Sequence, residues 1–148
     1  MDVGFYHCTR AEPLAVLPRL AAKAHQAGQR VLVHAVDDRL AEEVDERLWT
    51  YDQASFLPHG RAGDEHDTEQ PILLSNNFAR PNKAAVLMSM SGQLPPDDAG
   101  FDRVLYLFDG NDDDAVARAR HHWKALTARD GMTLTYWAQD ERGWKKRG

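Results

Sequence analysis

The chain has one cysteine in 148 residues, Cys8, so no internal disulfide framework can hold it and a reducing compartment suits it. It has no run of eighteen apolar residues, which excludes a membrane-spanning helix by sequence. Met1-Asp2-Val3-Gly4-Phe5 opens it without a basic segment leading into an apolar one, so the expected address is the cytoplasm. No internal repeat, low-complexity tract or linker divides it. The first apolar run is followed by Thr9-Arg10-Ala11-Glu12-Pro13, with neither G-x-x-x-x-G-K-[ST] nor G-x-G-x-x-G. Glycines that let backbone N–H groups approach phosphate are therefore missing where a nucleotide site needs them. That argues against the competing reading, a small nucleotide-binding hydrolase or transferase.

What the chain does contain is a real core: 43% hydrophobic residues with 28% charged. That composition suits one soluble domain of ordinary size. Net charge is −5, but unevenly spread. Residues 1–114 hold 10 basic and 20 acidic residues, while 115–148 hold 8 and 3. The acidic bulk is a poor surface for phosphate backbones, and the basic last quarter can draw an acidic partner.

Short apolar runs alternate with helical patterns, the mark of an α/β domain. Strands are expected at Val3–Cys8, Val31–Val36, Ile72–Leu74, Ala85–Met90, Arg103–Phe108 and Met132–Trp137, the last closing the sheet. A first helix is expected from Leu14 to Ala27, with Pro18 setting its regular part to start near Leu17 and Gly28 ending it. Asp37 or Asp38 caps a second helix to about Trp49; Asp112, Asp113 and Asp114 open a third that runs to about Arg129. Residues 1–140 form the domain and 141–148 a basic tail, Arg142, Lys145, Lys146 and Arg147 around Trp144, either steering an acidic partner or merely solubilising.

No group reads as catalytic or metal-binding. His59, Asp64, Glu65, His66 and Asp67 match no closed ligand spacing and read as a solvated loop. Cys8 beside His7 falls on a buried strand, and Ser89 and Ser91 lack a glycine elbow. Two patches stand out. Trp49, Phe56 and Leu57 gather at a helix exit, as an interface anchor or as cover for the sheet edge. On the third helix Val116, Ala119, Trp123 and Leu126 fall on one face, with Arg120 and Lys124 bordering Trp123. Cations beside an aromatic edge suit a ligand with an apolar group and a carboxylate; a core Trp123 under a solvated charged face is the plainer alternative.

Three segments carry a resemblance: Gly28-Gln29-Arg30-Val31-Leu32-Val33, Asp45-Glu46-Arg47-Leu48-Trp49 and Ser55-Phe56-Leu57-Pro58-His59. In this order the chain resembles the chi subunit family of bacterial DNA polymerase III, clamp-loader accessory proteins. The resemblance implies a single Rossmann-like, helicase-like domain with a largely parallel central sheet flanked by helices, without a P-loop, cofactor, metal or catalysis. It implies two partners: the psi subunit, at Trp49, Phe56 and Leu57, and the acidic C-terminal tail of single-stranded-DNA-binding protein, at Phe108, Val116, Arg120, Trp123 and Lys124. Trp123 stands where a different aromatic is common. Direct nucleic-acid and membrane binding are not expected.

Overall fold

A computed structural model describes residues 1–51, 57–63, 65–140 and 143–147. The strands are β1 (Asp2–Cys8), β2 (Val31–His34), β3 (Gly60–Arg61), β4 (Ile72–Ser75), β5 (Val86–Ser89), β6 (Arg103–Asp109), β7 (Thr133–Asp140) and β8 (Gly143–Lys146). The helices are α1 (Pro13–Gln26), α2 (Asp38–Thr50) and α3 (Asp113–Thr127). Among the described residues all eight strands form one sheet in the order β3-β4-β2-β5-β6-β1-β7-β8. Every pairing is parallel except β7 with β8. The α/β class and the largely parallel sheet are as the sequence implied.

Strands buried on both faces make the two cores. Tyr6, Val31, Val33, Leu74, Met88 and Leu105 face α1 and α2, whereas Phe5, Leu32, Leu73, Leu87, Val104 and Tyr106 face α3. The helix ends follow local chemistry. The Asp37 carboxylate accepts the Leu40 N–H at 2.9 Å, and that of Asp112 accepts those of Asp114 and Ala115. Gly28 leaves α1 at φ +76°, a conformation that disfavours side chains, with the Gln29 N–H closing on the Ala24 carbonyl.

Two expectations give way. Helix α1 begins at Pro13, one residue before the expected Leu14, but its regular part does not wait for Leu17: Pro18 lies inside it and buried. Pro13 takes the favoured first-turn place, while Pro18 forgoes its bond to the Leu14 carbonyl and packs against the core instead. Nor does β7 close the sheet. Residues 143–146, expected within a trailing basic tail, pair antiparallel with β7, Trp144 opposite Gln139 and Lys146 opposite Trp137. Lysines on such a strand are the usual guard of an exposed edge. Among the described residues no helix is long and apolar enough to cross a membrane.

A polar tie secures the carboxyl ends of the strands. The His34 ring is buried, stacked on Phe78 at 4.0 Å. Its Nε2 meets the Asn76 carbonyl at 3.2 Å, and its Nδ1 lies 2.6 Å from the Ser91 hydroxyl. A carbonyl only accepts, so Nε2 carries the proton and Ser91 donates to Nδ1. Burial holds the His34 pKa below the usual 6.5. The unfolded chain thus binds the extra proton first, so this contribution to stability is complete above about pH 6.5 and declines as pH falls below it. The wild-type unfolding free energy should drop between neutral pH and about pH 5 more steeply than that of His34→Gln, by up to about 1.4 kcal/mol per pH unit, and its melting temperature should fall with it. Parallel thermal-melt curves for the two proteins would assign the acid sensitivity to another group.

Candidate functional site

The first patch sits at the end of α2. Its stripe sinks Val44 and Leu48 into the core and leaves Trp49, the next residue round the helix, 56% exposed. Tyr51 beside it is 41% exposed. The Trp49 ring rests edge-on to His59, 5.1 Å away. His59 is anchored twice, Nε2 to Asp45 at 2.8 Å and Nδ1 to the Leu57 carbonyl at 2.7 Å. Its side chain is 1% exposed, so the solvated-loop reading fails for this residue: it is the pedestal under Trp49. Leu57 is buried in the α1/α2 core and supports the patch from beneath. Phe56 and Asp64 lie outside the described residues.

The second patch lies on the opposite face of the sheet. Ala119 and Leu126 of α3 are buried, Val116 and Trp123 partly so, and Arg120 and Lys124 are exposed. Trp123 is wedged edge-on between Phe5 at 5.3 Å and Tyr136 of β7 at 5.7 Å. Tyr136 donates to His7 Nδ1 or accepts from it at 2.6 Å. Burial pushes the Tyr136 hydroxyl up in pKa, and the Arg120 charge pulls the other way. Arg120, Trp123, Lys124 and Tyr136 thus make an aromatic shelf with a cationic rim. Tyr136 escaped the sequence reading, although alternation along Met132–Trp137 already put it and Leu134 on one face.

Phe108 is placed differently. It is 4% exposed, stacked on His7 at 4.9 Å, and Tyr136 stands between it and Trp123. With Met90, Leu14, Ala115 and Arg118 it borders a cavity of about 290 Å³ at the carboxyl ends of β5 and β6. Arg120, Trp123 and Lys124 do not line that cavity. The reason is helical: residues two apart point roughly 200° away from each other, so Arg118 and Arg120 serve opposite flanks of α3. Gly110 keeps this region tight, since a Cβ there would fall 2.2 Å from the His7 ring.

The remaining candidates are structural. The Cys8 thiol is buried and its pKa is pushed up to about 12, so it is not a nucleophile at neutral pH. Ser89 donates to the Gln93 carbonyl, as Ser91 does to His34. Arg30 ties the Thr68 and Asn82 carbonyls together. Among the described residues no group of three or more His, Cys, Asp or Glu could hold a metal. After β1, where a nucleotide-binding fold cradles phosphate, the N–H groups of Thr9, Arg10 and Ala11 converge on the Gln139 side-chain oxygen at 3.0, 3.0 and 3.2 Å. An amide oxygen fills that concavity.

Residues 1–135 match the family pattern described as DNA polymerase III chi subunit, HolC. The chain is 34% identical over 108 residues to DNA polymerase III subunit chi of Pseudomonas aeruginosa, an overlap of 71% of this chain and 75% of that protein. With the Haemophilus influenzae subunit it shares 30% over 111 residues, 72% of this chain and 74% of the other. With the Escherichia coli subunit it shares 40% over 45 residues, 30% and 31% of the two chains.

Proposed function

We propose an adaptor role from one premise: this chain belongs to the DNA polymerase III chi subunit family, accessory subunits of the replicative polymerase. In this reading it joins the psi subunit, and through psi the clamp loader, to the acidic C-terminal tail of single-stranded-DNA-binding protein. Trp49 and Phe56 meet psi; Arg120, Trp123 and Lys124, with Val116 and Tyr136, take the tail. Phe108 serves from behind, fixing His7 and through it Tyr136.

The observation that carries the reading is the separation of the two patches. An exposed tryptophan on the α2 side and a cation-rimmed one on the α3 side are divided by the whole thickness of the sheet. Two partners can therefore bind at once without competing, which an adaptor needs. The chemistry of each face differs too: bare aromatic surface suits a stable subunit contact, while exposed charge suits a fast, salt-sensitive one.

Reconstitution tests it. Mixed with purified psi and a tail peptide, the chain should co-elute as a ternary complex, and saturating either partner should leave affinity for the other unchanged. Single-stranded DNA alone should not bind at physiological salt, because twenty carboxylates in residues 1–114 oppose phosphate. Competition between psi and the tail, or DNA binding that steepens as salt falls, would refute the adaptor.

A further inference from the structure

A cavity of about 420 Å³ belongs to neither patch. It opens on the α1 side of the sheet, at the β1–β7–β8 end. Tyr6 and Trp137 stack there at 6.2 Å and 10°, and Trp144 stands edge-on to Tyr6 at 5.2 Å. Leu20 and Ala24 of α1 and Leu105 of β6 form the apolar wall opposite. Lys23 and Arg103, both exposed, line it too, with Ala27, Gln29 and Val86, and no carboxylate contributes. Antiparallel register adds Lys146 on the same sheet face, opposite Trp137. Trp137 and Trp144 fall beyond residue 135, where the family pattern ends. The strand that brings Trp144 here is the basic C-terminal segment to which the adaptor reading gives no task.

We propose that this cleft is a third docking site, for a short acidic peptide segment that inserts one aromatic or large aliphatic side chain and pairs its flanking carboxylates with Lys23 and Arg103. The lining selects that chemistry. An apolar floor of two indoles, a phenol and leucine side chains takes hydrocarbon, and a rim with cations only asks for anions. Arg103 and the Tyr6 ring line the cavity together, which sets one cation beside the phenol at the mouth. A nucleic-acid strand fits worse. Tyr6 and Trp137 lie face to face, so no base can enter between them, and beyond Arg103 the neighbouring cavity is bordered by Asp2 and Asp102, which repel phosphate. A peptide with one apolar side chain has no need to extend that way.

The four tryptophans report where a ligand binds. In the full chain labelled with nitrogen-15, each indole N–H of Trp49, Trp123, Trp137 and Trp144 gives its own resonance, assigned by single Trp→Phe variants. The probe is a blocked pentapeptide with one phenylalanine flanked by aspartate and glutamate, lacking any free carboxyl terminus. Saturable shifts are expected at Trp137 and Trp144 and not at Trp123. The double variant Lys23→Glu/Arg103→Glu should weaken this binding about tenfold or more, since two exposed ion pairs become repulsions. It should leave the response of Trp123 to a phenylalanine-terminated tail peptide intact, which keeps this test apart from that of the adaptor. The proposal is overturned if the pentapeptide moves Trp123 alone, if nothing moves at millimolar peptide, or if the double variant binds as well as wild type. An oligothymidylate that shifts Trp137 and Trp144 in the peptide's place would overturn it in favour of nucleic acid. Ligand-free shifts that grow with protein concentration would do so in favour of a second copy.

Discussion

Trp49→Ala is expected to weaken psi binding by about 2–4 kcal/mol, the range of an aromatic anchor at the centre of an interface. The isolated chain should melt within a few degrees of wild type. The asymmetry follows from exposure: a ring 56% open to solvent contributes little to the core, and truncation leaves the His59 pedestal bonded to Asp45 and Leu57. Leu48→Ala, one residue earlier and 2% exposed, is the contrasting case. It empties buried volume and should cost about 2–5 kcal/mol of stability, whatever it does to psi. Phe56→Ala should resemble Trp49→Ala, because the resemblance assigns both rings to the same partner. Both quantities are within reach of calorimetry and thermal melts. Should either aromatic truncation unfold the free chain while binding by the folded fraction is unchanged, these residues are core, and psi docks elsewhere.

Much of the fold was legible because local chemistry repeats a known pattern. Val31–Val36 and Arg103–Phe108 read as central strands from their unbroken apolar runs, and Asp37, Asp112 and Gly28 marked helix ends by type alone. What stayed hidden depended on distance in space. Gln139 binds three N–H groups about 130 residues away, a contact no spacing rule reports. β8 was masked by its own edge protection: Lys145 and Lys146 next to Trp144 look like a solvated tail until a partner strand is seen. His59 hid in an acidic run whose composition suggested solvent, whereas Asp45 on α2 draws it inward. Phe108, expected as a wall of the α3 pocket, is placed differently for a finer reason. Strand end and helix are neighbours, but the phenyl ring turns to the Arg118 flank, with Tyr136 taking the place assumed for it.

That difference sharpens the second expected result. In the adaptor reading the final phenylalanine of the tail lies against Trp123 and Tyr136, while its terminal carboxylate meets Arg120 or Lys124. Burying the ring yields roughly 25 cal/mol per Å² of apolar surface, and exposed cations add an attraction that salt screens over about 10 Å at 0.1 M. Binding is then modest and salt-sensitive, and it depends on both parts. Arg120→Ala should remove most tail affinity, a loss of about tenfold or more, because a carboxylate on a guanidinium is the strongest single polar contact available there. Psi affinity should not change, the two patches being on opposite faces of the sheet. A tail peptide without its phenylalanine should bind no better than background. Arg118→Ala is the discriminating control: it faces the cavity beside Phe108 and should leave tail binding intact. Calorimetry in which Arg118→Ala abolishes binding and Arg120→Ala does not would move the tail into that cavity, at the carboxyl ends of β5 and β6. Equal binding by Arg120→Ala and wild type would by itself remove the α3 shelf as the tail's site.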